Sequence, residues 1–151
     1  MNTQAVADAL AARFAGVTAT YDGVTESLTS DPTAMLPNAL SKGPVILVFP
    51  PEGELVLNLR RRADTLVFPV RMLRDPLDLP NRIGWLYAWY DAMRDQVGKS
   101  MNLGLAYVAW ADPTAVRIEA DGFTYAGVLQ DVVELEVAVR LDEVVTTLAV
   151  T

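Results

Sequence analysis

The sequence predicts an α+β fold in a single domain spanning residues 1–151. Three observations carry this: two segments whose apolar residues recur every three or four positions, one pair of alternating runs around a charged turn, and a final third that reads only as strands. With 151 residues and 52% hydrophobic composition, the chain can bury a real core, and its length suits one domain.

The first helix is expected in "NTQAVADALAARF". Asn2 and Thr3 are its possible caps, Val6, Ala9, Leu10 and Phe14 fall at helical spacing, and Gly16 stands beyond as a stop. Residues 17–43 then read as a long, partly irregular connection, with turn signals at Asp22-Gly23, Asp31-Pro32, Pro37 and Gly43-Pro44 and one short strand at "VTATYDG". "PVILVFPP" is a continuous apolar run bounded by prolines, as in a strand buried on both faces. In "GELVLNLRRRADTLVFPVRML", Leu55, Leu57 and Leu59 alternate on one side of a charged turn, and Leu66, Phe68, Val70 and Met72 on the other. That is a β-hairpin. Pro69 cannot donate to a ladder, so its strand is expected at an edge or with a bulge.

"DPLDLPNRIGWLYAWYDAMRDQVGK" is the clearest helix. Asp78 and Pro80 suit its start and Gly98 its stop. Ile83, Leu86, Tyr90, Met93 and Val97 make one apolar stripe, while Trp85 and Trp89 pair at i, i+4 on a neighbouring face. Thereafter "LGLAYVAW" and "TAVRIEA" are short strand candidates split by Asp112-Pro113, and Asp121-Gly122 is expected to turn the chain into "FTYAGVLQDVVELEVAVRL". The run Leu129 to Leu141 reads as one strand of thirteen residues, which at roughly 3.3 Å per residue extends on the order of 43 Å. Val133, Leu135, Val137, Val139 and Leu141 should be buried on one face, leaving Glu134, Glu136, Ala138 and Arg140 on a wet, mostly acidic one.

Composition narrows the chemistry. There are no Cys and no His, so thiol nucleophiles, disulfides and imidazole bases are absent. The carboxylate pairs Asp75/Asp78 and Glu134/Glu136 lie beside no plausible nucleophile, and "GPVILVFPPEG" lacks P-loop spacing. The expectation is no enzymatic activity and no cofactor or metal. Only 21% of residues are charged, which points to apolar surface covered by a partner. Net charge is −7, and residues 103–151 hold 8 acidic against 2 basic residues, disfavouring general affinity for nucleic acid. The N-terminus does not look like a secretory signal and no apolar run approaches a membrane span, so a cytoplasmic origin without membrane contact is expected.

The order of a short helix, an irregular loop, "LSKGPVILVFPP", a hairpin with a charged tip, a "WLYAWYDAM" helix and then "GFTYAGVLQDVVELEVAV" resembles the tail terminator (tail completion) proteins of long-tailed bacteriophages. Tyr125, Gly127 and Val128, ahead of the long strand, are the most suggestive piece. The resemblance implies a small mixed, mainly antiparallel sheet with helices packed on one side. It also implies a structural virion protein, a hexameric ring of copies at the head-proximal end of the tail, which stops growth of the tail tube and presents a joining surface to the head connector or head-closure protein. A strand that outran its own domain would offer unpaired N–H and C=O groups to a neighbouring subunit.

Within that picture, Arg60, Arg61 and Arg62 form either a partner-binding finger or a solvated hairpin tip. Trp85 and Trp89 are interface anchors or core. Glu134 and Glu136, with Asp131 and Asp142, line a lumen through which DNA slides without sticking, or are the solvent side of an antiparallel strand. Two alternatives stand beside this reading: another neck or tube-type subunit, and a cytoplasmic α+β domain holding a small apolar ligand or a peptide between sheet and helix.

Overall fold

The computed structural model describes residues 3–40, 43–57, 61–76, 81–97, 103–106 and 108–144. Helix α1 (Thr3–Arg13) precedes a small hairpin, β1 (Thr18–Tyr21) and β2 (Val24–Ser27); then come β3 (Val45–Val48), β4 (Glu52–Leu57), β5 (Arg61–Arg74), α2 (Asn81–Val97), β6 (Val108–Tyr125) and β7 (Val128–Val144). The architecture is the expected α+β, with two helices and two sheets among the described residues. β1 and β2 form one sheet; in the other, the order is β3-β5-β7-β6, with β4 also on β5. Since β7 occupies one side of β5, β3 and β4 share its other side in tandem. All named strand pairs are antiparallel, and Thr33 and Leu47 add one parallel bridge.

Period-2 patterning sets the layers. Phe68, Val70 and Met72 of β5 and Val133, Leu135, Val137, Val139 and Leu141 of β7 are at most 1% exposed. They pack with Ile46 and Val48 of β3 against Val6, Leu10 and Phe14 and against Leu86, Trp89 and Met93. Both helices therefore cover one face of the large sheet. A smaller cluster of Val45, Leu47, Leu73 and Val132 lies on the opposite face. At about 1.5 Å per residue α2 spans about 25 Å, whereas the 17 residues of β7 reach about 56 Å. The sheet is longer than the helix laid on it.

Several expectations need correction. The long strand is longer still, but it is not an edge: β7 pairs with β5 over Asp131–Val144 and with β6 over Val128–Leu141. Its backbone groups are used inside the chain, and among the described residues the unpaired edges of this sheet belong to β6 and β4. β5 is likewise central, with no register shift at Pro69. The proline is tolerated because Pro69 faces Phe49, where β3 has ended and β4 has not begun. Phe49 N–H donates to the Pro69 carbonyl at 2.8 Å, and the return bond of that antiparallel pair is the one a proline cannot make.

The two candidates around Asp112-Pro113 are a single strand, β6, with register shifts at Val108/Trp110, Pro113/Ala115 and Glu119/Phe123. Asp121-Gly122 is part of the last irregularity, and the chain reverses instead at Ala126-Gly127, with φ of 50° and 80°, the left-handed pair a two-residue hairpin needs. The described residues of 17–43 are also more ordered than expected. They hold the β1–β2 hairpin, turning at Asp22-Gly23, and a segment along the outer edge of β3: Val48 N–H donates to the Thr33 carbonyl at 2.9 Å, and Thr29 N–H to that of Pro44 at 3.0 Å. That edge is thereby capped.

Candidate functional site

The sequence-selected residues do not converge on one site. Arg60 lies outside the described residues, as do Asp78, Pro80 and Gly98. Arg61 and Arg62 open β5 beside the β4–β5 connection, where register sets Arg62 opposite Glu143 on one side and Leu57, in the last β4–β5 pair, on the other.

Trp85 and Trp89 are core residues, which overturns the interface-anchor reading. Trp89 is fully buried and Trp85 8% exposed, whereas Ile83, placed by periodicity on the inner stripe, is 37% exposed. What draws the tryptophans inward is the small β1–β2 hairpin laid over α2. The Tyr21 ring lies 5.6 Å from that of Trp85. Glu26 accepts from Trp89 Nε1 at 2.8 Å and from Arg74 Nε and a terminal nitrogen at 2.8 and 2.6 Å. A buried indole N–H requires such a partner; here one carboxylate satisfies it and neutralises a nearly buried guanidinium. Gly84 makes the approach possible, since a Cβ there would come within 2.2 Å of the Tyr21 ring.

The acidic lining is corrected too. Asp131 belongs to the other face of β7, sharing the parity of Val133, and is completely buried. It accepts from Arg82 Nε at 2.8 Å and from an Arg82 terminal nitrogen at 2.6 Å, and takes the Asp121 N–H at 2.8 Å. Asp121 itself lies 2.5 Å from the same guanidinium. The hydrogen bond to Asp131 above all, opposed by partial burial, drives the Arg82 pKa upward and holds the charge in place. The cluster ties the start of α2 to the irregularity near the β6–β7 tip. Glu134 is 9% exposed rather than wet. It accepts from Arg71 Nε and stands 3.9 Å from Arg117 Nε, while the Arg71 guanidinium lies 4.3 Å from the centre of the Phe49 ring and 4.8 Å from that of Phe123. Glu136 is half-buried. Arg140 donates to Thr65 Oγ1 at 3.1 Å. Three arginines thus interleave with the carboxylates of this face, and it is not a uniformly acidic wall.

Among the described residues no group of three or more Asp or Glu is disposed to hold a metal ion, and no helix is long and apolar enough to cross a membrane. Two recesses are notable. A groove of about 380 Å³ is lined by residues 16–18 and 27–32, with Asp31 its one ionisable side chain. A notch of about 200 Å³ between α2 and β6 is lined by Tyr90, Arg94, Pro113, Thr114, Val116 and Leu135. Sequence reasoning found neither; the notch is made by segments up to 45 residues apart along the chain, and the groove by the two ends of the β1–β2 hairpin. No protein-family model matches this sequence. No curated protein matches it either.

Proposed function

We propose that this chain is a structural virion protein of a long-tailed bacteriophage, a tail terminator or close neck relative, assembled in the host cytoplasm. Its copies close into a ring, six in number on the family resemblance, with one ring face meeting the last ring of the tail tube and the other the head connector or head-closure protein. The lumen passes DNA without binding it. The observation that carries the reading is an open antiparallel sheet whose long inner strands are paired on both sides within the chain while, among the described residues, β6 and β4 keep unpaired outer edges. Such a sheet has two different sides to offer, which head-to-tail closure requires.

The element order read from the sequence supports the same view. The small-ligand alternative is weaker on size at the helix–sheet notch, about 200 Å³, below the ~300–1,000 Å³ of ordinary ligand pockets; the groove beside the β1–β2 hairpin, about 380 Å³, is within that range. The test is native mass spectrometry over a concentration series with negative-stain imaging, followed by joining of tails to filled heads in vitro. Closed rings that restore joining are expected. Rings with no effect on joining would remove the virion role. Replacing Arg60, Arg61 and Arg62 together by Ser should abolish joining with the fold retained; unchanged joining would make them an ordinary solvated stretch.

A further inference from the structure

Two of the uncharged segments in this chain of net charge −7 are "PTAMLPNAL" (32–40) and "GFTYAGVLQ" (122–130). They meet at one end of the molecule, where the Tyr125 hydroxyl donates to the Pro37 carbonyl. That end exposes Val128 by 54%, Leu129 by 47%, Met35 by 70% and Leu36 by 40%. It is also stiff. The Ala126-Gly127 turn closes the β6–β7 hairpin, and the Phe49 ring packs edge-on against Phe123 and Tyr125, with centroids 5.6 and 6.4 Å apart. An exposed apolar knob held rigidly loses little entropy on docking.

The notch between α2 and β6 is the matching recess. Leu135, 1% exposed, lies at its base, and Val116, 48% exposed, at its rim. An apolar cavity of ~150 Å³ accepts benzene, so about 200 Å³ has room for a leucine side chain. The chain's own tip cannot reach it: Leu129 and Leu135 are six residues apart on one strand, about 20 Å. Strand addition along this edge is obstructed by Pro113 and three register shifts, which leaves insertion of a side chain. Two copies of an acidic protein repel each other, and a tip whose own two segments carry no charge, with Asp75 lining the recess beside Val128, is a place where approach is little opposed. A knob and a hole at different places on one surface generate a head-to-tail contact.

We infer that the β6–β7 tip of one copy, led by Leu129 and Val128, seats in the notch between α2 and β6 of the next. This rests on the ring reading and names the contact that builds it. The chain has no cysteine, so two single-cysteine variants, Leu129→Cys and Thr114→Cys, can be mixed under mild oxidation. The expected product is a mixed disulfide dimer at least tenfold in excess of either homodimer; homodimers alone, or no crosslink, overturn the contact. Independently, Leu129→Asp should raise the concentration for half-association at least tenfold with the circular-dichroism melt unchanged. Val116→Trp, filling the recess from the other side, should do the same if the first variant misfolds. Association unaltered in both variants overturns the contact while leaving a ring possible by another surface. Rings that use it but never join tails would leave the contact standing and sink the virion reading. Melting raised by a small apolar molecule such as toluene, without a mixed disulfide, would make the notch a ligand site instead.

Discussion

Asp131 is a demanding place to perturb the fold. Replacing it with Asn removes the charge without opening a cavity. Arg82, whose side chain is 14% exposed, would lose its main partner and keep only Asp121, itself 47% exposed. Breaking a buried pair from one side costs about 3–5 kcal/mol; with Asp121 remaining, the lower end applies, about 3 kcal/mol. For a chain of this length ~1 kcal/mol corresponds to ~2–4 °C, so the melting temperature should fall by about 6–12 °C. Arg82→Met should cost more, since it strands a completely buried carboxylate whose other described donor is the Asp121 N–H. The double variant Arg82→Met/Asp131→Asn should lose less than the two single losses together, because no buried charge is left unpaired. Urea unfolding of the four proteins measures all three quantities. A cost below about 1 kcal/mol for Asp131→Asn, or a double variant equal to the sum of the singles, would refute the argument that this pair locks α2 to the β6–β7 tip.

Other consequences are as specific. Gly84→Ala gains about 1 kcal/mol of helix propensity but drives a methyl into the Tyr21 ring. It should lower stability in the native sequence and become neutral or stabilising in a Tyr21→Ala background, as two thermal melts would show. Glu26→Gln removes the carboxylate that neutralises Arg74, which is 6% exposed; a loss of about 3 kcal/mol in urea unfolding is expected. Burial raises the Tyr125 pKa above the ordinary 10.0. The folded state keeps this phenol neutral after the unfolded chain has begun to ionise, so stability should fall as pH rises above about 10. Tyr125→Phe should flatten that alkaline limb relative to the native protein, measured as urea midpoints across it.

Much of the scaffold was legible because it depends on local periodicity. Val133 to Leu141 alternate strictly and do face the helices; the two helical segments are helices, and the β4–β5 hairpin pairs. Errors arose where one chemistry serves two geometries. Asp112-Pro113 and Asp121-Gly122 carry turn residues that also suit irregularities within a strand, and pairing with β7 decided for the latter. Pro69 looked like an edge because a proline lacks a donor; the tandem ends of β3 and β4 opposite it let a central strand tolerate the lack.

By itself, the sequence determined the class of fold, the absence of thiol and imidazole chemistry, and which face of β7 is apolar, since composition and a two-residue period are properties of the chain alone. The tertiary structure decided everything carried by partners far apart. Glu26 and Arg74 are separated by 48 residues, and Arg82 and Asp131 by 49, and no window of sequence contains either pair. It decided for the core at Trp85 and Trp89, where the sequence left core and interface open, interleaved arginines with the acidic strand, and set the β6–β7 tip some 20 Å from the notch between α2 and β6. Burial and register are relations between segments, and they exist only once the segments have met.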